Sequence, residues 1–459
     1  MKSRLALLFL FSIGFFQFLV CQNAAPLSAD DKKAAVERIG TLLIDNYVFP
    51  DVAQQCADHL KQRLAEGAFG NSTDDAAFAQ RLTEELQRVS HDKHMRVRPD
   101  PPRPAGEPRD PLLDNIVGSQ RLAEQNYGLA GAEVLDGNIG LLDIRFFPAT
   151  DPAAPTVVAA MKILENVDAL IVDLRKNGGG NPDLIRFYCS YFFPPNTHLN
   201  SLYWRQGDRT QEFRTLESID GKRRPDLPVF ILTSHRTFSG GEEFAYNFQS
   251  RKRATLVGET TGGGANPGGT FPVNPRLFIF IPTGRAINPI THTNWEGTGV
   301  VPDIDVAADK ALEVCLPKAR EAAEAYRAAR QEELSQKLEP IRAALKESMT
   351  LMAAGKKAEA GKTLSDALGS GVKAGLVTEG SLNALGYEYM GQDKLDLALA
   401  VFAFNVGQFP QSSNVYDSYG EALMKAGRTA EAIANYQKSV DLDPTNENAK
   451  QIIEKMRKQ

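Results

Sequence analysis

The chain has 459 residues, too many for one compact domain, and at this length we expect about three structural units. Its 42% hydrophobic and 24% charged residues are near globular averages, which argues against wholesale disorder, a collagen-like fibre and a polytopic membrane protein. The 52 basic and 57 acidic residues leave a net charge of -5, which argues against a general nucleic-acid binder. Four cysteines are too few for a disulfide scaffold. Cys56, Cys189 and Cys315 are predicted to be buried thiols.

The first residues carry the pattern of an export signal. Lys2 and Arg4 precede an apolar run over residues 5–20, which is short and interrupted for a membrane span. We predict a signal peptide over residues 1–22 and a periplasmic or secreted protein that is not integral to the membrane after processing. A membrane anchor is the alternative, and Cys21, directly after the run, leaves lipid attachment open.

Residues 28–100 are predicted to form an N-terminal helical domain. Ser28 is a suitable cap, and three runs of apolar residues at helical spacing follow it. Six prolines lie between residues 99 and 111, where we expect a linker or an extended crossing.

Short β-like runs alternate with helical stretches over residues 127–308, and this alternation predicts a mixed α/β core. The predicted strands are 138–144, 169–174, 229–233, 255–257 and 277–281, and the predicted helices include 153–166 and 241–249.

The remainder is predicted to be helical, with a linker over 309–378 and tetratricopeptide-like repeats over 379–459. Small and aromatic residues recur there at a spacing of 34 residues, the tetratricopeptide period. The recurring pairs are Gly386 and Gly420, Ala398 and Ala432, Phe402 and Tyr436, and Pro410 and Pro444. Two repeats cannot bury a solenoid core alone, so other helices or a protein partner are expected to cover them. Unrelated helical hairpins are the alternative.

Ser239 is the candidate nucleophile. It follows the apolar run 229–233 and precedes a helix, where the helix dipole and free backbone N–H groups favour a developing oxyanion. The segment from Ser239 to Glu242 also fits a capping box, so a purely structural role stays open.

Gly178, Gly179 and Gly180 end another apolar strand and can bring backbone N–H groups close to an oxyanion. A tight turn is the structural alternative. The chain has six histidines, from which a base for the serine must come unless a lysine serves. His91 and His94 lack the further ligands of a metal site, so we expect no metal and no cofactor.

Together these segments resemble the serine peptidase family of the C-terminal processing (tail-specific) peptidases, the tricorn core protease and the interphotoreceptor retinoid-binding protein. The resemblance spans roughly residues 30–306 and implies a ClpP/crotonase-like core without the PDZ domain of the processing peptidases. It places Ser239 at the nucleophile position. The lysine of the Ser–Lys branch corresponds to Gly264 here, so that dyad is absent.

The tricorn-like branch of the resemblance implies a different base. Residues 92–94 match that branch's DGH segment, with Lys93 in place of the glycine, and make His94 the candidate base. Glu296 matches its distal carboxylate. The N–H groups of Gly240 and of Gly178 or Gly179 are then expected to form the oxyanion hole.

The resemblance implies a serine-type peptidase that acts on a peptide or protein substrate through an acyl-enzyme. Its retinoid-binding members imply the competing class, a lipid- or peptide-binding protein on the same fold. A third reading makes the repeats, with a protein partner, the functional part. Nucleic acid is not an expected partner.

Overall fold

A computed structural model describes residues 27–100 and 110–458 and divides the chain into two compact units, one up to Tyr326 and one from Arg327 on. The predicted signal peptide, Cys21 and most of the proline-rich stretch lie outside the described residues. None of the described helices has both the length and the apolar character needed to span a bilayer. Cys56, Cys189 and Cys315 are buried free thiols, as predicted.

The first unit contains helices from the N-terminal region and from the core. They are α1 (Ala29–Asn46), α2 (Pro50–Ala65), α3 (Asp75–Ser90), α4 (Pro111–Glu124), α5 (Thr150–Ile163), α6 (Pro182–Cys189) and α7 (Gly240–Gln249). The boundary between the units falls within the long helix α8 (Ala311–Ala353).

The strands of the first unit form three sheets. They are β1 (Arg96–Pro99), β2 (Leu129–Leu135), β3 (Ile139–Ile144), β4 (Ala169–Asp173), β5 (His198–Trp204), β6 (Arg209–Arg214), β7 (Val229–Thr233), β8 (Thr255–Gly258), β9 (Gly268–Asn274), β10 (Leu277–Pro282), β11 (Gly284–Ile287) and β12 (Ile304–Asp305).

The central sheet has six strands in the order β12-β8-β7-β4-β3-β2, all parallel except for the β2–β3 pair. All five residues of β7 are buried, as expected for a parallel strand covered on both faces. In the first turns of α8, Ala311, Cys315 and Ala319 pack against one face. Because β4 and β7 are parallel neighbours, the loops that follow them meet at one edge of the sheet.

The N-terminal helices share their core with the second sheet, of order β1-β10-β9. Leu82 of α3 and Val97 of β1 belong to the same buried cluster as Leu277 and Ile279 of β10. Residues 28–100 therefore fold against strands that come almost 200 residues later, and β1 pairs directly with β10. The third sheet has the order β11-β5-β6.

The second unit is helical throughout its described length. Its elements after α8 are α9 (Lys357–Lys373), α10 (Glu379–Gly391), α11 (Leu395–Gln408), α12 (Ser413–Lys425), α13 (Thr429–Leu442) and α14 (Glu447–Arg457). A Cβ on Gly386 would lie 2.6 Å from Phe402, and a Cβ on Gly420 would lie 3.1 Å from Tyr436. The 34-residue repeat thus places a glycine against an aromatic ring twice. The predicted fold class is confirmed: a helical N-terminal region, an α/β core and a tetratricopeptide-like region.

Candidate active site

Ser239 occupies a strained turn between β7 and α7. Its φ of 53° and ψ of −117° are unusual for a residue with a side chain, and such conformations persist only when surrounding contacts impose them. The preceding residue supplies one such contact, because the N–H of Phe238 donates to the carbonyl of Asn177 at 3.0 Å. The hydroxyl of Thr237 supplies another by donating to the carbonyl of Leu174 at 2.7 Å. Both contacts join the serine turn to the loop after β4.

Glu242 fixes the other side of this turn. Its fully buried carboxylate accepts hydrogen bonds from the Ser239 N–H at 2.8 Å and from the Thr261 hydroxyl at 2.5 Å. It also accepts from the N–H groups of Gly263 at 2.6 Å and Gly264 at 2.9 Å. Burial raises the pKa of Glu242 in spite of these donors. The glutamate half of the predicted capping box is therefore present, and it joins the serine turn to the loop that contains Gly263 and Gly264.

The glycine loop after β4 lies directly against Ser239. A Cβ on Gly179 would lie 2.7 Å from the Ser239 Cβ, and the φ of Gly179 is 100°, so both space and conformation require glycine. The N–H of Gly178 donates to the carbonyl of Arg145 at 3.1 Å, and that of Gly179 donates to Asn177 Oδ1 at 2.8 Å. Neither predicted oxyanion donor of this loop is thus free in this conformation.

Two other backbone N–H groups are available near the serine. Gly240 carries the first N–H of α7, and neither it nor the N–H of Gly180 has an acceptor among the described residues. A Cβ on Gly240 would lie 2.9 Å from the Gly180 nitrogen. Gly180 was not singled out from the sequence, because spacing alone does not show which of three glycines keeps a free N–H.

His94 reaches the site from the connection between α3 and β1. His91 ends α3 in a left-handed conformation with a φ of 55°, and Asp92 Oδ1 then accepts the His94 N–H at 3.0 Å. The His94 ring packs against Phe238, with a centroid distance of 4.6 Å, and against Phe280 at 5.9 Å. Burial, with a contribution from the charge of Arg96, lowers the pKa of His94 to about 4. The imidazole is therefore neutral at physiological pH.

Glu296 and Asp92 lie next to the His94 ring. One ligand atom from each of these three residues lies within 4.8 Å of the others. Glu296 Oε2 accepts the N–H groups of Ala265 at 2.5 Å and Asn266 at 3.2 Å. Glu296 Oε1 and His94 Nδ1 are both buried and have no hydrogen-bond partner among the described residues. His94 Nδ1 lies 3.9 Å from Asp92 Oδ1, so neither carboxyl group hydrogen-bonds the ring in this conformation.

Asp92 is a third member of the cluster that the sequence did not single out. Its Oδ2 accepts from Asn266 Nδ2 at 2.9 Å and from the Tyr47 hydroxyl at 3.3 Å. Burial raises the pKa of Asp92, and burial together with the nearby Asp92 charge raises the pKa of Glu296. The two carboxyl groups therefore retain one proton between them more readily than either would alone in water.

The same three residues form the candidate metal cluster of the described part of the chain. Both oxygens of Asp92 and one oxygen of Glu296 already accept hydrogen bonds from the protein. Glu296 Oε1 and His94 Nδ1 are the atoms of this cluster that have no hydrogen-bond partner among the described residues.

Gly264 has no room for a side chain. A Cβ there would lie 2.3 Å from Phe238 Cζ and 2.7 Å from His94 Cε1. The rings of Phe238 and His94 thus fill the space that a lysine at this position would need. The His94 ring therefore lies where the side chain of a lysine at position 264 would have to lie.

Ser239 and His94 line one cavity of about 650 Å³. Gly178, Gly180 and Phe238 line it as well, with aromatic and cationic residues farther from the serine. The structure thus brings Ser239 and His94 to a common space and Glu296 to the histidine, although these residues are far apart in sequence.

The comparisons with known proteins agree with this architecture. The sequence pattern described as peptidase family S41 matches residues 138–306, and the pattern described as the N-terminal domain of peptidase S41 in eukaryotic IRBP matches residues 29–127. Two separate segments of the chain therefore match sequence patterns of peptidase family S41.

Individual relatives match more distantly. A carboxyl-terminal-processing protease of Synechocystis sp. is 30% identical over 168 residues, which are 36% of this chain and 37% of that protein. The chain thus spans little more than a third of this curated relative's length. A lipoprotein from Streptococcus agalactiae is 16% identical with a TM-score of 0.42, covering 65% of this chain and 98% of that one. The photosystem II D1 C-terminal processing protease is 15% identical with a TM-score of 0.37, covering 62% and 94%.

Proposed function

We propose that this protein is a serine-type peptidase that hydrolyses peptide bonds through an acyl-enzyme. Ser239 is the nucleophile, His94 the general base and Glu296 the carboxylate that supports the base. The observation that carries the proposal is the shared cavity: a serine in a strained turn at a helix N-terminus and a neutral buried histidine line the same space. The match of residues 138–306 to peptidase family S41 supports the reaction class.

The chemistry begins with His94 Nε2 taking the hydroxyl proton while Ser239 Oγ bonds to the substrate carbonyl carbon. The imidazolium then returns this proton to the amide nitrogen, the C–N bond breaks, and the amine product leaves. Water attacks the remaining ester by the same route, which releases the acid product and restores the Ser239 hydroxyl. In this conformation Glu296 Oε1 and His94 Nδ1 are both buried without a hydrogen-bond partner, and a hydrogen bond from Nδ1–H to Oε1 during the reaction would leave Nε2 facing the cavity as the acceptor.

The oxyanion of each tetrahedral intermediate is stabilised by backbone N–H groups. Gly240 provides one, at the positive end of α7. The second comes from the loop 178–180. To donate to the oxyanion, the N–H of Gly178 or Gly179 must first leave the acceptor that it has in this conformation. The N–H of Gly180 has no acceptor among the described residues.

A lipid-binding protein on the same fold is the competing account. Three cationic side chains line the cavity, which disfavours a wholly apolar ligand. Hydrolysis of peptide libraries by the purified protein and by Ser239→Ala decides between the accounts. The peptidase account predicts turnover only for the unmodified protein. Equal turnover by both proteins, or a co-purified apolar ligand without labelling of Ser239 by an active-serine probe, would eliminate it.

The place of action and the partner of the repeats belong to the same proposal. The charged and then apolar residues 1–20 support export before the protein acts, with periplasm or secretion as the destination. The repeats from residue 379 on support a protein partner, because stacked helical pairs present extended binding surfaces. Peptide or protein is the proposed substrate.

A further inference from the structure

Strand β1 presents two arginines to the cavity. Along a strand, alternate side chains point to opposite faces. Val97 points into the shared core and is 4% exposed, whereas Arg96 and Arg98 are exposed and line the cavity. On the neighbouring strand β10, their register partners Phe280 and Phe278 line it too. One wall therefore consists of two arginine–phenylalanine pairs.

The charges that line this cavity are unbalanced. Lys93, Arg96 and Arg98 are cationic, while Asp183 is the acidic residue among the lining side chains. Asp183 already pairs with Arg186 at 2.9 Å. The three cations have no ion pair among the described residues: Lys93 Nζ and Arg96 Nε donate to backbone carbonyls, and Arg98 has no carboxylate partner. His94 adds no charge, since burial keeps it neutral.

This excess of positive charge lies close to the proposed nucleophile. The Arg96 guanidinium lies 5.9 Å from the centre of the Phe238 ring, and Phe238 directly precedes Ser239. Arg98 lies two residues farther along β1, about 7 Å from Arg96. Trp204 also lines the cavity, and its buried indole N–H has no acceptor among the described residues. The donors thus outnumber the acceptors around the space that a substrate would enter.

We propose that this cavity selects substrates that carry a carboxylate near the scissile bond, held by the guanidinium groups of Arg96 and Arg98. This inference rests on the proposed peptidase function and names its substrate class. Arginine forms paired hydrogen bonds with a carboxylate, and a site with several unpaired cations attracts anions while repelling cationic peptides. The carboxylate is supplied by an aspartate or glutamate side chain or by the substrate's own C-terminus.

The test compares matched peptides on the full chain. One set differs only by Glu or Gln, moved through each position around the cleaved bond, with an amidated C-terminus. A second set keeps neutral side chains and has a free or an amidated C-terminus. We expect kcat/KM to be about 10-fold or more higher for the charged member of at least one set. The set that responds identifies the source of the carboxylate.

Variants assign the preference to the arginines. In Arg96→Gln, Arg98→Gln and the double variant, the ratio of charged to neutral kcat/KM should fall toward one. Arg38→Gln, which alters an exposed arginine on α1, is the matched control and should keep the full ratio. Labelling of Ser239 by an active-serine probe verifies that each variant is folded. An undiminished ratio in the double variant, or no charge preference in the unmodified protein, overturns the proposal.

Binding separates this inference from the peptidase proposal. Fluorescence anisotropy with Ser239→Ala measures peptide affinity without turnover, so an inactive protein still gives an answer. Tighter binding of the charged peptides that is lost in Ser239→Ala/Arg96→Gln/Arg98→Gln supports the carboxylate site even if hydrolysis is never seen. Turnover without any charge preference leaves the peptidase proposal standing and removes this one.

Discussion

His94 lies between two phenylalanine rings, with one nitrogen directed to a buried carboxyl cluster. Its centroid is 4.6 Å from that of Phe238, and its Nδ1 is buried beside Glu296 and Asp92. Such packing fixes the orientation of the ring, which is one property that the proposed general base needs.

The first prediction concerns Glu296. Glu296→Gln keeps the shape of the side chain but removes the carboxylate that stabilises the imidazolium, so above pH 8, where Glu296 is ionised because burial and the Asp92 charge raise its pKa to about 8, we expect kcat to fall by about 10²–10⁴-fold. KM should change little, because Glu296 does not line the cavity. Steady-state kinetics on one peptide measures both constants. Glu259→Gln is the control, since Glu259 pairs with His235 instead. A fall in Glu296→Gln no larger than in the control would rule out the supporting role.

The second prediction concerns pH. The rate requires neutral His94, so the acid limb of kcat/KM that belongs to His94 should lie at about pH 4, where burial has placed the His94 pKa, and not near the usual value of 6.5. A separate limb near pH 8 belongs to Glu296, because burial and the Asp92 charge raise its pKa to about 8. The adjacent positive charge of Arg96 contributes to this lowering, so Arg96→Gln should move the acid limb to higher pH. A pH profile with a neutral peptide tests both expectations. An acid limb near 6.5 in the unmodified protein would contradict a buried base.

The sequence indicated Ser239, His94 and Glu296 as site residues, but it did not indicate which residues surround them. Ser239 is marked by a strand, a turn and a helix, and His94 and Glu296 by resemblance to known segments. Asp92 lies in the same matched segment as His94 but was assigned no role, and Asn266 lacked any such signal, because its contact with Asp92 at 2.9 Å joins positions 174 residues apart. No local pattern of residues encodes a contact of that kind.

Hydrogen bonds connect the turn that contains Ser239 to two loops, one after β4 and one that contains Gly263 and Gly264. Glu242 of α7 bonds to the loop that contains Gly263 and Gly264, and Phe238 bonds to the loop that contains Asn177. A change in either loop should therefore alter the position of Ser239.

The third prediction tests this coupling at Gly264. Gly264→Ala forces a Cβ to within 2.3 Å of Phe238 and 2.7 Å of His94, so the rings must move. We expect loss of most activity and a decrease of about 1–3 kcal/mol in the free energy of unfolding. Gly269→Ala is the matched control, because its Cβ meets its nearest neighbour, Phe271, at 3.7 Å. Urea unfolding and peptide hydrolysis give the two readouts. If both variants have the same activity and the same stability, the packing of the Phe238 and His94 rings around Gly264 is not needed for either property.

Elements with strong patterns were predicted well, and those with polar sequences were missed. The prediction for β7 matches residue for residue, because four consecutive apolar residues followed by a β-branched threonine leave little ambiguity. Strand β6 was not predicted, since its sequence RTQEFR is largely exposed and polar and its pairing with β5 comes from tertiary structure. Helix α4 was likewise not predicted after the proline-rich stretch.

At the scale of the whole molecule, the site does not follow the sequence domains. His94 comes from the N-terminal helical region, while Ser239 and Glu296 come from the α/β core. Both regions contribute to one buried cluster, so the site depends on their folding together.

The fourth prediction follows from this arrangement. A chain that ends at Tyr326 keeps every proposed site residue and the α8 residues that cover the central sheet. We expect its kcat/KM on short peptides to be close to that of the full chain. A chain that begins at residue 110 lacks His94 and part of the shared core, and should be inactive. Activity confined to chains that contain the repeats would instead make the repeats part of the catalytic unit.

The most direct test of the central claim is the attachment of an active-serine phosphonate probe, located by mass spectrometry of the digested protein. The account predicts one adduct, on Ser239, that is absent in Ser239→Ala and forms at least about 10²-fold more slowly in His94→Ala. An adduct elsewhere, no adduct on the folded protein, or equal rates with and without His94 would contradict it.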